Sequence, residues 1–248
     1  MESYYDAHER AYKEIKSKGY IGWGNAKTLN DVVDPITLNY LKSSIQQWTG
    51  KGFAGKSALD LGCGAGATAF TMAQLGLNVT GIDISATAIE MAKDLANQQN
   101  LKIDFMVGDV LRLENLNRKF DIIYDSHCLH CIVFDEDRQA VFNGIKNSLS
   151  KDGIFILDTA VVDGIWDPAS TIDTLRFDEN YILWHKTKPS DTRGVIEIEG
   201  QHWCAQRRFY PASKVMEEVE RAGFKILSQV TEAPSKGGSS MLRLVLQS

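Results

Sequence analysis

The stretch Ser57-Ala-Leu-Asp-Leu-Gly-Cys-Gly-Ala-Gly66 decides the fold. A short apolar run that stops at glycines reads as a buried strand, and the residues after it, Thr68 to Leu75, read as a helix. The same alternation continues outward from this point. Val79 to Asp83 reads as a second strand and Ala86 to Gln99 as a helix with apolar residues at helical spacing. Ile103 to Val107 and Phe120 to Tyr124 read as the third and fourth strands. A helix from Glu136 to Leu149 leads to a fifth, Gly153 to Asp158. Strands that alternate with helices at this pace build a parallel sheet covered on both faces. Right-handed crossovers make it doubly wound.

The C-terminal part completes the pattern. Ala212 to Ala222 reads as a helix that ends at Gly223, a residue suited to a left-handed cap. Phe224 to Val230 and Met241 to Leu246 read as strands, separated by the turn-rich segment Pro234 to Ser240. A loop that short joins only antiparallel strands. The expected fold is therefore α/β: a Rossmann-like, seven-stranded, mostly parallel sheet that closes with an antiparallel hairpin. Two segments lie outside it. Residues 1–54 read as helical and aromatic-rich. Residues 161–209 read as a β-rich insertion, with strands at Tyr181 to Lys186 and from Val195 to Gln206. The chain reads as one domain over 1–248, with 1–54 as a helical lid and 161–209 as a substrate cap.

Composition agrees with a single large domain. The chain has 248 residues, of which 44% are apolar and 24% charged, which argues against disorder. The net charge of −5 speaks against binding to a phosphate backbone. No apolar run approaches the roughly 20 residues of a membrane span. The N-terminal residues are polar and acidic, with no signal-peptide core, so a cytoplasmic location is expected. Four cysteines, Cys63, Cys128, Cys131 and Cys204, are too few and too unevenly placed for a disulfide framework.

The candidate binding residues fall at the ends of three successive strands, where ligands of such sheets bind. Gly62 and Gly64, flanking Cys63, let backbone approach a ligand where a Cβ would clash. Asp83, followed by Ile84, can accept two hydrogen bonds from a ribose diol. Asp109 can accept from an exocyclic amine of adenine, with its neighbours Gly108 and Val110 against the ring. A dinucleotide and S-adenosylmethionine both fit that description. The dinucleotide fingerprint is G-x-G-x-x-G, whereas here the spacing is G-x-G-x-G, and Asp60 stands two residues before the first glycine. A carboxylate there repels a pyrophosphate and suits an ammonium.

At these residues the chain resembles the class I S-adenosylmethionine-dependent methyltransferases. Ala58 to Gly66 looks like their first motif, Gly81-Ile-Asp-Ile-Ser85 like the one after their second strand, and Gly108-Asp-Val110 like their adenine-side motif. Phe120 to Asp125 and Leu149 to Gly153 resemble their fourth strand and the turn before their fifth. The resemblance implies S-adenosylmethionine as cofactor and S-adenosylhomocysteine as product, with Asp125 beside the cofactor. Tyr124-Asp-Ser-His-Cys-Leu-His130 followed by Glu136-Asp-Arg138 is similar to the small-molecule branch, which includes the thiopurine and tellurite-resistance methyltransferases. That implies a small acceptor with an oxygen, nitrogen or sulfur nucleophile. RNA or protein methylation, a nicotinamide oxidoreductase and a non-catalytic binding module are the alternatives. The acidic balance and the lack of an Asn/Asp-Pro-Pro-Tyr-type motif after the fourth strand weigh against base methylation.

Asp125-Ser-His-Cys-Leu-His-Cys131 follows the fourth strand. Metal binding is disfavoured, because structural zinc sites draw ligands from separated segments. A redox pair normally opens a helix in a thioredoxin-like setting. The remaining reading is an active-site wall, with His127 or His130 as a proton acceptor for the nucleophile. Packing of His130 as a purely orienting residue is the competing reading. Trp23, between two glycines, together with Tyr4 and Tyr5, is a candidate cover for the cofactor, and Tyr12 reads as part of the same polar helix as the two tyrosines. In the insertion, Trp184, His185, His202, Trp203 and Arg207 are candidates to line a pocket for a planar or anionic substrate. The competing reading is that the tryptophans pack the insertion onto the core or onto a second subunit, so a homodimer is compatible with the sequence.

Overall fold

A computed structural model describes residues 3–28, 31, 35–49, 54–162, 172–232 and 239–248. Its centre is a seven-stranded sheet built from β1 (Ser57–Leu61), β2 (Asn78–Asp83), β3 (Asp104–Val107), β4 (Phe120–Ser126), β5 (Leu149–Val162), β10 (Lys225–Thr231) and β11 (Ser239–Gln247), in the order β10-β11-β5-β4-β1-β2-β3. The first five pair in parallel; β11 runs antiparallel to both β5 and β10. This is the mostly parallel, doubly wound sheet with its closing hairpin. The expected turn between the last two strands falls largely on 233–238, outside the described residues. The order reverses at β1, whose neighbours are β2 and β4, and the glycine-rich loop leaves β1 at this switch point.

Side chains alternate across the sheet, as strand geometry requires. Leu59, Ile123, Phe155 and Leu157 pack in one cluster beside α5 (Asp135–Ser148) and α6 (Ala212–Arg221), which contribute Val141, Phe142, Val215 and Val219. Ala58, Ile122, Tyr124 and Ile156 join a second cluster with α2 (Pro35–Thr49), α3 (Ala67–Gln74) and α4 (Ala86–Gln98), through Leu41, Ile45, Phe70 and Ile89. The fifth strand is longer than its apolar core predicts. It begins at Leu149, opposite Phe120, and a register shift follows before Ile122 pairs with Ile154. Gly153 sits beside this irregularity, where a Cβ would lie 3.0 Å from the Phe120 carbonyl.

The insertion forms its own antiparallel sheet, in the order β6 (Leu175–Phe177), β7 (Ile182–Thr187), β9 (Gln201–Arg208), β8 (Val195–Ile198). The expected boundary at 161 also takes in the end of β5 and residues 163–171, the latter outside the described set. Within the expected N-terminal segment, α1 (Ala7–Ser17) and α2 are helical, and residues 29–30, 32–34 and 50–53 lie outside the described set.

Candidate active site

A cavity of about 410 Å³ opens at the carboxyl ends of β1, β2 and β4. That volume is within the range of roughly 300–1,000 Å³ common for small-molecule sites. The glycine loop forms its floor, with positive φ at Gly62, Gly64 and Gly66. The close approaches are tight. A Cβ on Gly62 would lie 2.7 Å from Cys128 Sγ, and one on Gly64 would lie 2.2 Å from the Tyr12 hydroxyl. Only glycine combines this backbone conformation with this proximity.

Three carboxylates from neighbouring strands bound the cavity: Asp60, Asp83 and Asp109. Asp60 is 1% exposed, and its Oδ2 has no hydrogen-bond partner. Burial first, then the charge of Asp125, push this carboxyl well above the usual range. Asp83 accepts from the Gly64 amide at 2.9 Å and from the Ser85 amide at 2.8 Å. Burial raises its pKa, and these two amide bonds oppose the rise. Asp109 caps the turn that follows β3 by accepting from the Leu111 amide at 2.9 Å, and the Tyr5 hydroxyl donates to its other oxygen at 3.4 Å. Cys63, Ile84 and Val110 also line the cavity.

Two of the residues expected at the cofactor are not among its lining residues. Asp125 is fully buried, and its Oδ1 accepts from the amides of Cys128 at 2.9 Å and Leu129 at 3.3 Å. It shapes the turn that carries the histidines rather than facing the cavity, and burial raises its pKa to about 7. Gly108 donates its amide to the Asp83 carbonyl, and a Cβ there would meet Ile82 at 2.6 Å, so it fixes the spacing of β2 and β3.

The 126–132 segment forms the next wall. His127 has φ +68°, is exposed, and donates its amide to the Asp158 carbonyl at 2.9 Å. The ring of His130 packs 5.6 Å from that of Phe209. Its Nδ1 accepts from the Ala160 amide at 3.3 Å, with the Thr159 hydroxyl at 3.4 Å. Because an amide only donates, Nδ1 is an acceptor and the proton of the neutral ring sits on Nε2. Burial, followed by the charge of Arg207, holds the His130 pKa well below the ordinary value. Arg138 secures this wall from behind. It is buried, donates to the carbonyls of Leu129 and Ile132, and grips Glu218 of α6 with two bonds of 2.6 Å. Among the described residues, no group of histidine, cysteine and carboxylate side chains has the arrangement of a metal site.

The N-terminal segment supplies the roof. Tyr12, Trp23 and Tyr5 line the cavity, with the Trp23 indole donating to the Tyr12 hydroxyl at 3.1 Å while 47% of its surface stays exposed. Tyr4 is not part of it. Its hydroxyl donates to Asp137 at 3.0 Å and accepts from the Val133 amide at 2.9 Å, deep in a cluster with Ile182 and Trp184. Of the five candidates in the insertion, Arg207 alone is a lining residue. Trp184 is buried and donates to Asp178 at 2.9 Å, Trp203 packs against the same cluster, His202 faces Glu197 at 3.6 Å, and His185 is exposed.

Sequence reasoning missed several lining residues, Thr37, Leu111 and Ile132 among them, and one that titrates, His8. It sits edge-on to Trp23 at 6.2 Å, and burial, with Arg207 adding to it, lowers its pKa to about 4. Its position in a polar helix, HERAYKE, gives no local signal of a cavity wall.

Comparison with known proteins follows the same lines. The family described as "Methyltransferase domain" matches residues 53–221. A protein of Glaesserella parasuis serovar 5 (strain SH0165) named Ubiquinone biosynthesis O-methyltransferase is 29% identical over 187 residues, which cover 72% of this chain and 73% of that protein. A protein of the same name from Coxiella burnetii (strain RSA 493 / Nine Mile phase I) is 39% identical over 136 residues, and the chain spans 54% of its length and matches it over 55% of its own. The crystal structure of an S-adenosylmethionine-dependent methyltransferase from Clostridium acetobutylicum ATCC 824 shares the fold, with a TM-score of 0.63 at 17% identity, over 96% of this chain and 98% of that one.

Proposed function

The chain belongs to the methyltransferase-domain family, and from that premise we propose that it moves a methyl group from S-adenosylmethionine to a small-molecule acceptor held in the same cavity. The chain is an S-adenosylmethionine-dependent methyltransferase, and S-adenosylmethionine is its cofactor. The observation that carries the residue assignment is the convergence of Asp60, Asp83 and Asp109 with the glycine loop on one cavity. The residues fit the group. The unpartnered Asp60 Oδ2 suits an ammonium, and a cation beside it would favour the ionised carboxylate. Each Asp83 oxygen keeps a lone pair for a ribose hydroxyl beyond the amide it already accepts. Asp109 takes the adenine amine on this reading, with Ile84 and Val110, which line the same cavity, against the ring.

When bound, the cofactor supplies a methyl group on a positively charged sulfur. The protein's share is alignment and exclusion of water. Tyr5, Tyr12 and Trp23 cover the cavity, which supports reading the N-terminal segment as a lid. His130 acts as a hydrogen-bond donor through Nε2 and orients the acceptor. His127, exposed on the same wall, takes the proton of a hydroxyl, amine or thiol. The relatives' names support an oxygen acceptor. The similarity of Tyr124 to Arg138 to thiopurine and tellurite-resistance enzymes adds sulfur acceptors to the candidates. The reading includes a cytoplasmic location and no nucleic-acid partner, and leaves room for a homodimer. Among the described residues no helix is long and apolar enough to cross a membrane.

The test is a thermal titration with S-adenosylhomocysteine beside NAD, followed by a screen of phenolic, amine and thiol acceptors. A ligand at 100 times its Kd adds about 2.7 kcal/mol, equivalent to roughly 5–10 °C for a chain of this size. A shift with NAD and none with S-adenosylhomocysteine would overturn the reading.

A further inference from the structure

The charges in the cavity are of two kinds and come from two different parts of the fold. The carboxylates belong to the ends of β1, β2 and β3. The one lysine or arginine among the described lining residues, Arg207, comes from β9 of the second sheet. Three other arginines are paired: Arg138 with Glu218, Arg193 with Glu136 and Asp137, Arg208 with Asp135. Arg207 has no such partner among the described residues, and its hydrogen bond is to the carbonyl of Gln206 at 2.8 Å. Its charge bears on His8, His130 and Cys131, so it lies at the wall where the histidines are. A partly buried guanidinium without a counter-ion gives up hydration for little return, and its planar fork matches a carboxylate.

Resting on the methyltransferase reading, we propose that Arg207 receives a carboxylate borne by the methyl acceptor, which makes the acceptor an organic acid. The site favours a single negative charge. One guanidinium neutralises a carboxylate, whereas a phosphate dianion would face the three aspartates of the same cavity with half its charge unmatched. The acid group on Arg207 holds the far end of the acceptor and leaves its nucleophile free to reach the methyl donor between the aspartates and His130. Tyr5 and Trp23 supply an apolar cover for the carbon frame between the two ends.

The test is calorimetry on the full chain saturated with S-adenosylhomocysteine. The probes are hydroxy-, amino- and mercaptobenzoates and short hydroxy acids, each beside its own carboxamide. At least one acid is expected to bind at least tenfold more tightly than its amide, the low end of what a charge-assisted bond supplies. In Arg207→Gln that preference falls to within about twofold, Arg207→Lys keeps part of it, and affinity for S-adenosylhomocysteine is the same in all three. The substitution strands no carboxylate, because Arg207 has none as partner. An acid preference that survives Arg207→Gln would overturn the proposal. So would a panel in which no acid outbinds its amide, a result read on the unmodified protein whether or not the variants fold. Failure of S-adenosylhomocysteine to bind at the outset would instead remove the methyltransferase reading and this inference with it.

Discussion

Asp83 places two demands on one carboxylate. It already accepts from Gly64 and Ser85, so it holds the glycine loop against the start of α4, and its remaining lone pairs face the cavity. Asp83→Ala removes both the loop's anchor and the acceptors for a ribose diol. Affinity for S-adenosylhomocysteine should fall by about tenfold to a hundredfold, the range of charged hydrogen bonds. Calorimetry reads it directly, and an unchanged Kd would refute the assignment of Asp83 to the cofactor. His130 illustrates how a neighbour selects among a residue's chemistries. With Nδ1 turned to the Ala160 amide and the ring neutral, its proton is on Nε2, so on the proposed reading it orients the acceptor rather than deprotonating it. His130→Gln retains a polar group and should lose about tenfold or less in kcat. A general base is worth about 10²–10⁴, so a loss of that size would identify His130 as the proton acceptor.

The elements differ in how far their positions follow from local sequence. The first strands of the central sheet announce themselves through apolar residues and a glycine or aspartate at or near their ends, and Gly223 ends α6 with φ +87° as a cap residue should. The attachment of α1 has no such signature. Glu9 is a charged residue in a polar helix, yet it accepts from the Ser85 hydroxyl at 2.6 Å, the Thr87 hydroxyl at 2.8 Å and the Thr87 amide at 3.1 Å, some 76–78 residues away. These bonds fasten α1 over the N-terminus of α4, whose own cap is Ser85, and so place Tyr12 over Gly64. Long-range polar contacts of this kind leave no periodicity to read, and for the same reason His8 escapes notice. In the insertion the packing reading of the tryptophans applies: Trp184 and Trp203 join the second sheet to Tyr4 and Val133. Composition does not distinguish an aromatic that packs from one that binds. Asp125 caps the turn after β4, since a carboxylate at a strand end can accept from the next turn's amides as readily as it can meet a ligand. The expected consequence for α1 is specific. Glu9→Ala should raise amide hydrogen exchange across residues 7–17 at least severalfold and weaken S-adenosylhomocysteine binding, while exchange in β1 and β4 stays as in the parent. Equal exchange in α1 would mean that packing of Tyr12 alone holds the helix.

At the scale of the whole molecule, the same buried groups set how stability responds to acid, and they pull in opposite directions. His8 has its pKa lowered to about 4 in the folded chain. An unfolded histidine titrates near 6.5, so between that pH and about 4 the unfolded state binds a proton that the folded state refuses. The stability His8 contributes is therefore complete above pH 6.5 and is lost as the pH falls toward 4. Glu9 works the same way lower down. Burial alone would raise its carboxyl, but the bonds from Ser85 and Thr87 outweigh burial and set it at about 2, so its contribution is lost as the pH falls below the ordinary carboxylate range. Asp125 has the other sign. Burial raises it to about 7, so its contribution is present below its unfolded value and is lost as the pH rises through 7. Asp60 and Asp83, also raised by burial, act with Asp125. Between about pH 4 and 6.5 the histidine and the aspartates oppose one another and partly cancel. Removing His8 weakens one side of that balance, on which His130, also lowered by burial, remains. His8→Gln should make the thermal midpoint decline more steeply with rising pH across this window than in the parent, by an amount on the order of 1–3 kcal/mol between its ends. Any constant packing cost of the substitution drops out, because the comparison is between slopes. Scanning calorimetry of both proteins from pH 4 to 8 reads the difference, and parallel curves would show that His8 titrates in the folded chain as it does in water.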